Sequence, residues 1–437
     1  MRPIRIAIAG AGTAGLAVAA FLARDGHSVR LFERFAEPKP LGAGLLLQPT
    51  GLACLASLGL DGIALDFGQA VTSIYGETSA GARILDLGYR ELGAHVFGLG
   101  IHRGALFALL YAEVVRLGIA LTTATEIVGS RCTAEGRILI DHQHNKHGVF
   151  DLIVDATGVR SPLRAADAVI RRERPYAYGA VWGSLPAPAD WPHQDRLVQR
   201  YDGCHSMIGM LPIGRAPGDA RRLIALFWSL RAQDRPRWRA AGLAPWKARV
   251  MEMCPDAEPL LAQINSLDDM TFASYADMRL GRRHGERIIF IGDAGRGLSP
   301  QLGQGANLAL IDAATLADSL RRAASIEAAL GLYTTARRRH GRFYALASRW
   351  LTPFFQSDSR WAAKLRDVAF PRLGQVPYLR RQMVRTLAGM KTGLFTHVDP
   401  GIWHPDYALK RPAGRPPLLN RLRQQPRWRA WRRRGKG

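Results

Sequence analysis

Short apolar runs and a helical segment alternate over the first 35 residues. Ile4 to Ala9 and Ser28 to Phe32 are apolar enough and short enough to be buried strands. Between them, Gly10-Ala11-Gly12-Thr13-Ala14-Gly15 opens an alanine-rich segment that continues to about Arg24. This order predicts a strand–helix–strand unit with a glycine-rich turn between the first strand and the helix.

A second unit of the same kind lies far along the chain. The apolar run from Ile288 to Ile291 is followed by Gly292-Asp293, and residues 294–305 are rich in glycine. After Gly305 the apolar positions recur at helical spacing, and no further glycine interrupts them up to residue 313. The pattern predicts a strand that delivers a carboxylate to a turn, followed by a helix N-terminus.

The residues between and after these units alternate in a way that predicts both strands and helices. Helical patterns are expected at Pro49 to Leu58 (after Gly42-Ala43-Gly44), from His102-Arg103 onward, at Ala244 to Met253, Glu327 to Leu351, Ser359 to Val368 and 379–390. Strand patterns are expected at Val71 to Leu87, 119–128, 137–142, 150–155, Val181 to Ser184, Leu197 to Tyr201, Leu223 to Ser229 and Met270 to Tyr275.

These elements predict an α/β protein with a Rossmann-like nucleotide-binding domain, an inserted and mostly antiparallel β-sheet substrate domain, and a helical C-terminal region. The predicted divisions are 1–175 with 281–350 for the discontinuous nucleotide domain, 176–280 for the substrate-domain sheet, 351–408 for the helical region and 409–437 for a basic tail. A chain of 437 residues is long enough for two domains with a large core.

Composition adds limits on location and partners. No window approaches about 18 uninterrupted apolar residues, so no membrane-spanning helix is expected. The four cysteines (Cys54, Cys132, Cys204 and Cys254) are scattered without CxxC or metal-ligand spacing, which predicts no metal site and a reducing, cytoplasmic setting.

The formal net charge of +24 is concentrated partly at the C-terminal end. From Leu409 to Gly437 the chain carries lysines, arginines and prolines but no acidic residue. A solvated tail is the default interpretation, and contacts with anionic lipid or nonspecific contacts with nucleic acid are the alternatives. Trp428 and Trp431 among the arginines favour lipid over nucleic acid, so peripheral contact with the inner face of the membrane is a further hypothesis.

The glycine spacing in the first unit has a chemical meaning. Gly10 permits a tight turn, Gly12 lets a pyrophosphate reach backbone amides, and Gly15 allows close packing of helix against strand. Glu33, at the end of the second strand, is suited to binding ribose hydroxyls. The first unit therefore predicts binding of a dinucleotide.

Three landmarks in fixed order carry a resemblance to a known family. They are Gly10-x-Gly12-x-x-Gly15 with Glu33, then Asp151-Leu-Ile-Val-Asp-Ala-Thr-Gly-Val-Arg-Ser-Pro-Leu-Arg164, then Gly292-Asp293. Together they resemble the FAD-dependent aromatic hydroxylases, the para-hydroxybenzoate hydroxylase-like flavoprotein monooxygenases, over roughly residues 1–350.

The resemblance implies where FAD binds. It implies that Asp293 bonds the ribityl chain, that the turn from Pro300 to Asn307 lies along the isoalloxazine, and that Arg103 lies against the cofactor. A positive helix end beside the flavin would stabilise its anionic reduced form. The residues predicted to bind FAD are Gly10, Gly12, Ala14, Gly15, Glu33, Arg34, Arg103, Asp293, Pro300, Gly303, Gln304, Gly305, Ala306 and Asn307.

The sequence departs from the family pattern at two positions. Thr157 stands where the family commonly has an aspartate associated with both FAD and the nicotinamide nucleotide. Arg296 stands where a histidine is common. We interpret Arg296 as a simple substitution at a solvent-facing turn; the alternative is a cation that attracts an anionic substrate or the nicotinamide phosphates.

The function implied by the resemblance is hydroxylation of an aromatic or phenol-like, hydrophobic substrate with NAD(P)H and dioxygen through a flavin hydroperoxide. The alternative is a flavin-dependent reductase or dehydrogenase that acts on an isoprenoid or other lipid-like substrate without oxygen transfer. The Asp155 to Gly158 sequence and the basic tail favour that alternative, whereas the turn from Pro300 to Asn307 and Arg103 favour the hydroxylase. A flavin-binding scaffold without activity is a third hypothesis.

No catalytic residue is assigned from the sequence. The ionisable candidates in the substrate sheet are His205, Tyr201 and Tyr275, of which His205 is the candidate base. Trp182, Met207, Phe227 and Tyr275 are candidates for an aromatic pocket, although such residues on strands are usually core. The expected partners are a small aromatic or quinone-precursor substrate and dioxygen, with no specific nucleic acid.

Overall fold

The computed structural model describes residues 2–38, 44–167 and 170–410. The helices are α1 (Thr13–Arg24), α2 (Pro49–Ser57), α3 (Asp61–Phe67), α4 (Arg103–Arg116), α5 (Arg164–Asp167), α6 (Arg235–Ala241), α7 (Leu243–Met253), α8 (Glu258–Leu261), α9 (Gly292–Gly295), α10 (Gly305–Arg322), α11 (Ile326–Phe355), α12 (Arg360–Gln375) and α13 (Pro377–Leu387).

The strands are β1 (Arg5–Ala9), β2 (Ser28–Phe32), β3 (Gly44–Leu47), β4 (Gln69–Val71), β5 (Ser73–Thr78), β6 (Arg83–Gly88), β7 (Gly98–His102), β8 (Ala120–Thr122), β9 (Ile127–Thr133), β10 (Gly136–Asp141), β11 (Lys146–Phe150), β12 (Leu152–Asp155), β13 (Ile170–Pro175), β14 (Tyr178–Pro186), β15 (Arg196–Asp202), β16 (Ser206–Gly214), β17 (Leu223–Arg231), β18 (Thr271–Ala273), β19 (Ala276–Leu280), β20 (His284–Gly285), β21 (Ile288–Phe290) and β22 (Arg296–Gly297).

A parallel sheet forms the centre of the nucleotide domain. Its order is β20-β21-β12-β1-β2-β8, and only the short edge strand β20 runs antiparallel to its neighbour. The apolar side chains of β1 and β12 are fully buried, as expected for parallel strands with both faces covered. The two glycine-rich turns therefore follow β1 and β21, at the carboxyl ends of strands in one sheet, where ligands bind in such folds.

A seven-stranded sheet covers this domain, in the order β18-β14-β17-β16-β15-β5-β6. All of its pairs are antiparallel except β15 with β5. One face, which we call the outer face, packs on α7 and α8 through residues such as Val181, Ile208 and Trp246. The opposite inner face packs on β3 and β7, where Leu46 joins Leu211 and Ala225 in one apolar cluster.

The predicted fold class is confirmed, and the structure shows where its divisions differ from the sequence ranges. The covering sheet takes β5 and β6 from residues 73–88, outside the predicted range 176–280. The reason is a parallel pairing of distant segments, which no local turn signal announces. Helix α11 runs without interruption across residue 350, which is the predicted boundary between the nucleotide domain and the helical region.

The helical C-terminal region returns to the nucleotide domain. After α13, the backbone carbonyls of Leu387 and Ala388 accept hydrogen bonds from Gln304 at 2.7 Å and Thr50 at 3.3 Å. The carbonyl of Gly389 accepts a third bond from Nε2 of His340 at 2.8 Å. The segment at 387–389 is thus attached to both α11 and the turn before α10. The predicted tail lies, from residue 411 onward, outside the described residues.

A buried carboxylate on α10 joins the elements around the Gly-Asp turn. Oδ2 of Asp312 accepts the amide of Gly292 at 3.2 Å, and Oδ1 accepts Nε of Arg337 at 2.6 Å. Arg296 lies 3.8 Å from the same Oδ1. Burial opposes ionisation of Asp312, but neighbouring guanidinium groups, foremost Arg337 and Arg296, outweigh it and lower its pKa to about 2. The carboxylate therefore stays charged and balances the buried arginines.

We predict that Asp312→Asn lowers the free energy of unfolding by about 3–5 kcal/mol, because two buried guanidinium groups lose their counter-charge. Since the folded pKa of Asp312 lies below the value of about 3.9 in an unfolded chain, its stabilisation is complete above pH about 4 and disappears as the pH falls towards 2. Thermal or urea unfolding measured between neutral and acidic pH checks both the size and the pH range.

The matched control is Asp318→Asn on the same helix. Asp318 is half-exposed, and its partners among the described residues are the exposed Arg321 and Arg322, so its loss should cost no more than about 1 kcal/mol. Equal losses for the two variants would contradict the role given to Asp312.

Candidate flavin site

The first glycine turn is shaped for close backbone contact. Gly10 has a φ of +98°, and a side chain there would lie 2.6 Å from the carbonyl oxygen of Ala156. A Cβ at Gly15 would lie 1.8 Å from the carbonyl oxygen of Gly10, so α1 can approach β1 only with glycine there. At Gly12 the space next to the backbone is open. The turn thus combines two tightly packed glycines with one that faces free space.

Glu33 stabilises this turn through hydrogen bonds. Its carboxylate is buried and accepts the amide of Ala11 at 2.8 Å and that of Phe35 at 3.1 Å. A carboxylate has about four acceptor positions, so two backbone bonds leave capacity for ribose hydroxyls. The adjacent residue, Arg34, is also predicted from the sequence to bind FAD. It is exposed, and its guanidinium lies over the Phe35 ring at 4.6 Å.

The middle landmark is organised by Asp155 at the end of β12. Its buried carboxylate accepts bonds from the Thr157 amide at 2.9 Å, from the Thr157 hydroxyl at 2.6 Å and from the Ser161 hydroxyl. Burial raises the pKa of Asp155, and these bonds lower it in part. Thr157 therefore closes the turn by bonding Asp155.

Asp293 and Arg103 come together beside the turns. Both side chains are accessible to solvent, yet the protein around them shifts the pKa of each. Burial raises the pKa of Asp293, and the charge of Arg103 opposes the shift. Burial lowers the pKa of Arg103, and Asp293 and Tyr275 oppose that shift. Accessible but poorly solvated groups of opposite charge are what a deep ligand cleft presents.

In the turn before α10, glycine backbones border open space whereas the side chain of Gln304 is buried. Gly303, in the left-handed conformation with φ +59°, and Gly305 have open space where a side chain would be. In contrast, Gln304 is buried and donates to the carbonyls of Leu302 and Leu387. Pro300 and Ala306 are half-buried. A flavin in this position would meet mostly backbone.

Asn307 connects α10 to neighbouring segments of the chain through hydrogen bonds. It is fully buried, its Oδ1 accepts the Gln48 amide at 2.8 Å, and its Nδ2 donates to the carbonyls of Leu46 and Gly303. Ala14 is likewise buried, and a Cβ at Gly292 would lie 2.8 Å from its methyl group. Both residues shape the site by packing.

Arg296 corrects one expectation. The sequence suggested a solvent-facing turn, but Arg296 is 5% exposed, forms the short strand β22 and lies beside Asp312. Burial lowers its pKa to about 9. A charged residue in a glycine-rich stretch suggests a surface, and its counter-charge on α10 is 16 residues away, so the local pattern could not show the burial.

The covering sheet contributes an aromatic group. The indole Nε1 of Trp182 donates to the hydroxyl of Tyr275 at 3.2 Å, and the Trp182 and Phe227 rings lie 4.6 Å apart. Phe227 belongs to one apolar cluster with Met207 and Tyr201. The structure thus brings together the residues suggested for an aromatic pocket, and Tyr275 and Arg103 influence each other's pKa electrostatically.

His205 lies elsewhere. It is exposed in the turn between β15 and β16, and its Nε2 is 3.7 Å from Asp202, which Arg249 of α7 also bonds. These are contacts at the outer side of the sheet. The structure does not bring His205 to Asp293 or Arg103, and a catalytic base remains unassigned.

The sequence patterns gave no sign of one contributor, the segment at 387–389. Its carbonyl groups bind Gln304 and His340, as described above. Backbone acceptors can come from any residue type, so only the fold reveals them. Burial and Arg337 lower the pKa of His340, which keeps its ring neutral and able to donate from Nε2.

These features define a dinucleotide-binding flavoprotein. Open backbone at Gly12, Gly303 and Gly305, together with the exposed charged side chains of Asp293 and Arg103, has the chemical features of a dinucleotide site. Residues 4–346 match the family described as the FAD binding domain, and the chain belongs to that family. The predictions of an FAD-dependent oxidoreductase and of the monooxygenase class are confirmed.

Characterised relatives match most of the chain. A 3-amino-4-hydroxybenzoate 2-monooxygenase from Streptomyces cremeus is 28% identical over 332 residues, covering 73% of this chain and 79% of the relative. An aurachin C monooxygenase/isomerase from Stigmatella aurantiaca is 24% identical over 379 residues, covering 83% and 93%. The comparisons give no support to the alternative of a reductase.

Solved structures share the fold. HpxO from Klebsiella pneumoniae, complexed with FAD and uric acid, has a TM-score of 0.73 and 22% identity, covering 89% of this chain and 98% of that one. A tetrameric 2-methyl-3-hydroxypyridine-5-carboxylic acid oxygenase has a TM-score of 0.71 and 23% identity, covering 88% and 97%. In the described residues, no helix has the length and hydropathy needed to cross a membrane.

We predict that Gly12→Val weakens FAD binding by at least about ten-fold, because a pyrophosphate bound at this turn would need the open space that the new side chain fills. The extended backbone of Gly12, with φ −77° and ψ −174°, accepts valine without strain. Titration of the apoprotein with FAD measures the affinity, and thermal unfolding checks the fold.

Gly331→Val is the matched control. Gly331 is an exposed residue of α11 that also has open space around it, so the same side chain should leave FAD affinity unchanged. Normal FAD affinity in Gly12→Val would refute the assignment of this turn to the pyrophosphate.

Proposed function

We propose that this enzyme hydroxylates an electron-rich, uncharged aromatic substrate that binds between the inner face of the covering sheet and the flavin. The proposal rests on one observation, the absence of charged side chains from the central rows of that inner face. NAD(P)H is the proposed reductant and dioxygen the co-substrate. The chemistry supplied by FAD when bound is the acceptance of hydride and the activation of dioxygen.

The cofactor contacts are part of the proposal. We assign the ADP half of FAD to the turn at Gly10 to Gly15 and to Glu33, and the ribityl chain to Asp293. The open backbone of Gly303 and Gly305 supports an assignment of this turn to the isoalloxazine ring. Arg103 would lie at the cofactor, where its positive charge favours a reduced, anionic flavin.

The inner face of the four central strands carries no charge over the rows between Ala180 and Ser184. Strand pairing assigns the following residues to it: Ala180, Trp182, Ser184, Leu197, Gln199, Tyr201, Met207, Gly209, Leu211, Ala225, Phe227 and Ser229. The charged side chains of β15 belong to the outer face, where Arg200 pairs with Glu77 at 2.9 Å. Arg366 lies 4.9 Å from the Tyr201 ring, but it is already bound by the carbonyls of Gly203 and Phe354 and paired with Asp367. The rows themselves offer a carboxylate substrate no counter-charge, so its desolvation there would be unfavourable.

Tyr275 is the proposed positioning group. Its hydroxyl accepts a bond from Trp182, so its own proton is free to donate to an oxygen of the substrate. Burial raises its pKa, which keeps the phenol protonated at neutral pH, although Trp182 and Arg103 partly offset the shift. A donor at this place would orient the ring relative to the flavin.

Relatives named for hydroxylation or oxygenation of small aromatic compounds support the reaction type. The test is turnover of a phenol panel under heavy-isotope dioxygen, in which each uncharged phenol is paired with its carboxylated analogue. We expect label in the product and a preference of at least about ten-fold in kcat/KM for the uncharged member. Turnover without label would refute oxygen transfer, and a preference for the carboxylates would refute the substrate class.

We predict that Tyr275→Phe lowers kcat/KM about ten-fold, which corresponds to the loss of one hydrogen bond worth about 1.4 kcal/mol. A substrate that is poorly oriented should also raise the peroxide released per NAD(P)H oxidised. Steady-state kinetics with peroxide quantification measure both quantities.

Tyr378→Phe is the control for this variant. Tyr378 is 54% exposed on α13, so loss of its hydroxyl should change neither quantity. Unchanged coupling and kcat/KM in Tyr275→Phe would count against a positioning role, whatever its stability.

A further inference from the structure

Helix α12 carries apolar side chains on the side that faces solvent. Trp361, Leu365 and Val368, which we call the outer stripe, are 84%, 56% and 50% exposed. Their spacing of four and three residues aligns them on one face of the helix. A surface helix normally has polar residues there, so the outer stripe needs an explanation beyond folding.

The other side of α12 already accounts for its packing. Arg366 is fully buried and donates from Nη1 to the carbonyls of Gly203 at 2.9 Å and Phe354 at 3.0 Å. Phe370, one turn further along, contacts the Phe354 and Phe355 rings at 5.7 Å. The helix is therefore attached from the inside, and the outer stripe adds nothing to that attachment.

Basic residues surround the outer stripe. Arg360, Lys364 and Arg372 are exposed on the same helix, with Lys364 Nζ 6.0 Å from the Trp361 ring. Residues 360–385 contain seven basic side chains and a single acidic one, Asp367. Two of the seven are paired, the buried Arg366 with Asp367 at 2.7 Å and Arg380 with Glu91 at 3.0 Å. The region still presents apolar side chains within a surface of net positive charge.

From this combination we propose that the outer stripe of α12 docks the enzyme on an anionic lipid bilayer. Tryptophan and aliphatic side chains enter the interfacial layer, while neighbouring lysine and arginine side chains attract the negative headgroups. Association with a second copy through the same face would bring like charges together, since a two-fold interface pairs identical patches. Charge therefore favours lipid over a second chain.

Docking here would place lipid close to the substrate side of the sheet. Phe355, which contacts Phe370 of α12, lies 5.4 Å from the Tyr201 ring and in one cluster with Phe227. Two layers of rings thus separate the helix from the inner face of the sheet. This arrangement suits a hydrophobic substrate that partitions into the bilayer, although docking itself does not depend on the reaction.

The test uses the full-length holoenzyme and sedimentation with vesicles. We expect binding to phosphatidylcholine vesicles that contain about one third phosphatidylglycerol, weaker binding to phosphatidylcholine alone, and weakening by salt. The triple variant Trp361→Gln, Leu365→Gln, Val368→Gln should bind at least about ten-fold more weakly, with FAD content and activity on a water-soluble phenol unchanged.

The control is Leu394→Gln, Phe395→Gln, Ile402→Gln, which removes three side chains exposed by 73%, 73% and 67% outside α12. It should bind vesicles as the wild type does. Three results would overturn the proposal: normal binding by the α12 variant, equal loss in the control, or complete loss on deletion of residues 411–437 alone. A dimer that the α12 variant dissociates, without any vesicle binding by the wild type, would instead identify a second copy as the occupant.

Discussion

The arrangement of the flavin site depends on one buried charge. Asp312 binds the amide of Gly292 and the guanidinium of Arg337, and so fixes the Gly-Asp turn to the two long helices behind it. Arg337 continues to His340, whose ring bonds the carbonyl of Gly389. A carboxylate that must stay ionised to balance buried arginines thus connects the cofactor turn, the core and the C-terminal segment in a single network.

Polar side chains and glycine backbones have different roles in this site. Glu33, Asp155 and Asn307 all use polar side chains to bond the protein's own amides or hydroxyls. The surfaces left open are the backbones of glycines such as Gly12 and Gly303. The side chains therefore hold rigid loops whose glycine backbones border open space, and such preorganisation reduces the ordering needed on binding.

The elements that could be predicted from the sequence are those that depend on local patterns of residues. The strand–glycine–helix units around Gly12 and Asp293 lie where periodicity predicted, because apolar spacing and turn residues are local signals. Arg296 was misjudged because burial depends on Asp312, a partner distant in the chain. The acceptor carbonyl of Leu387 was invisible for a related reason, since a backbone group has no residue type that marks it.

The parallel pairing of β5 with β15 has a consequence for how this molecule is made. The two strands lie more than 100 residues apart, and the nucleotide domain is itself completed only by β21, later in the chain. Neither unit is a contiguous segment that a ribosome could release and leave to fold by itself. The rate of folding must therefore include the slow closure of long loops, and a stalled or truncated chain would expose unpaired strand edges that aggregate.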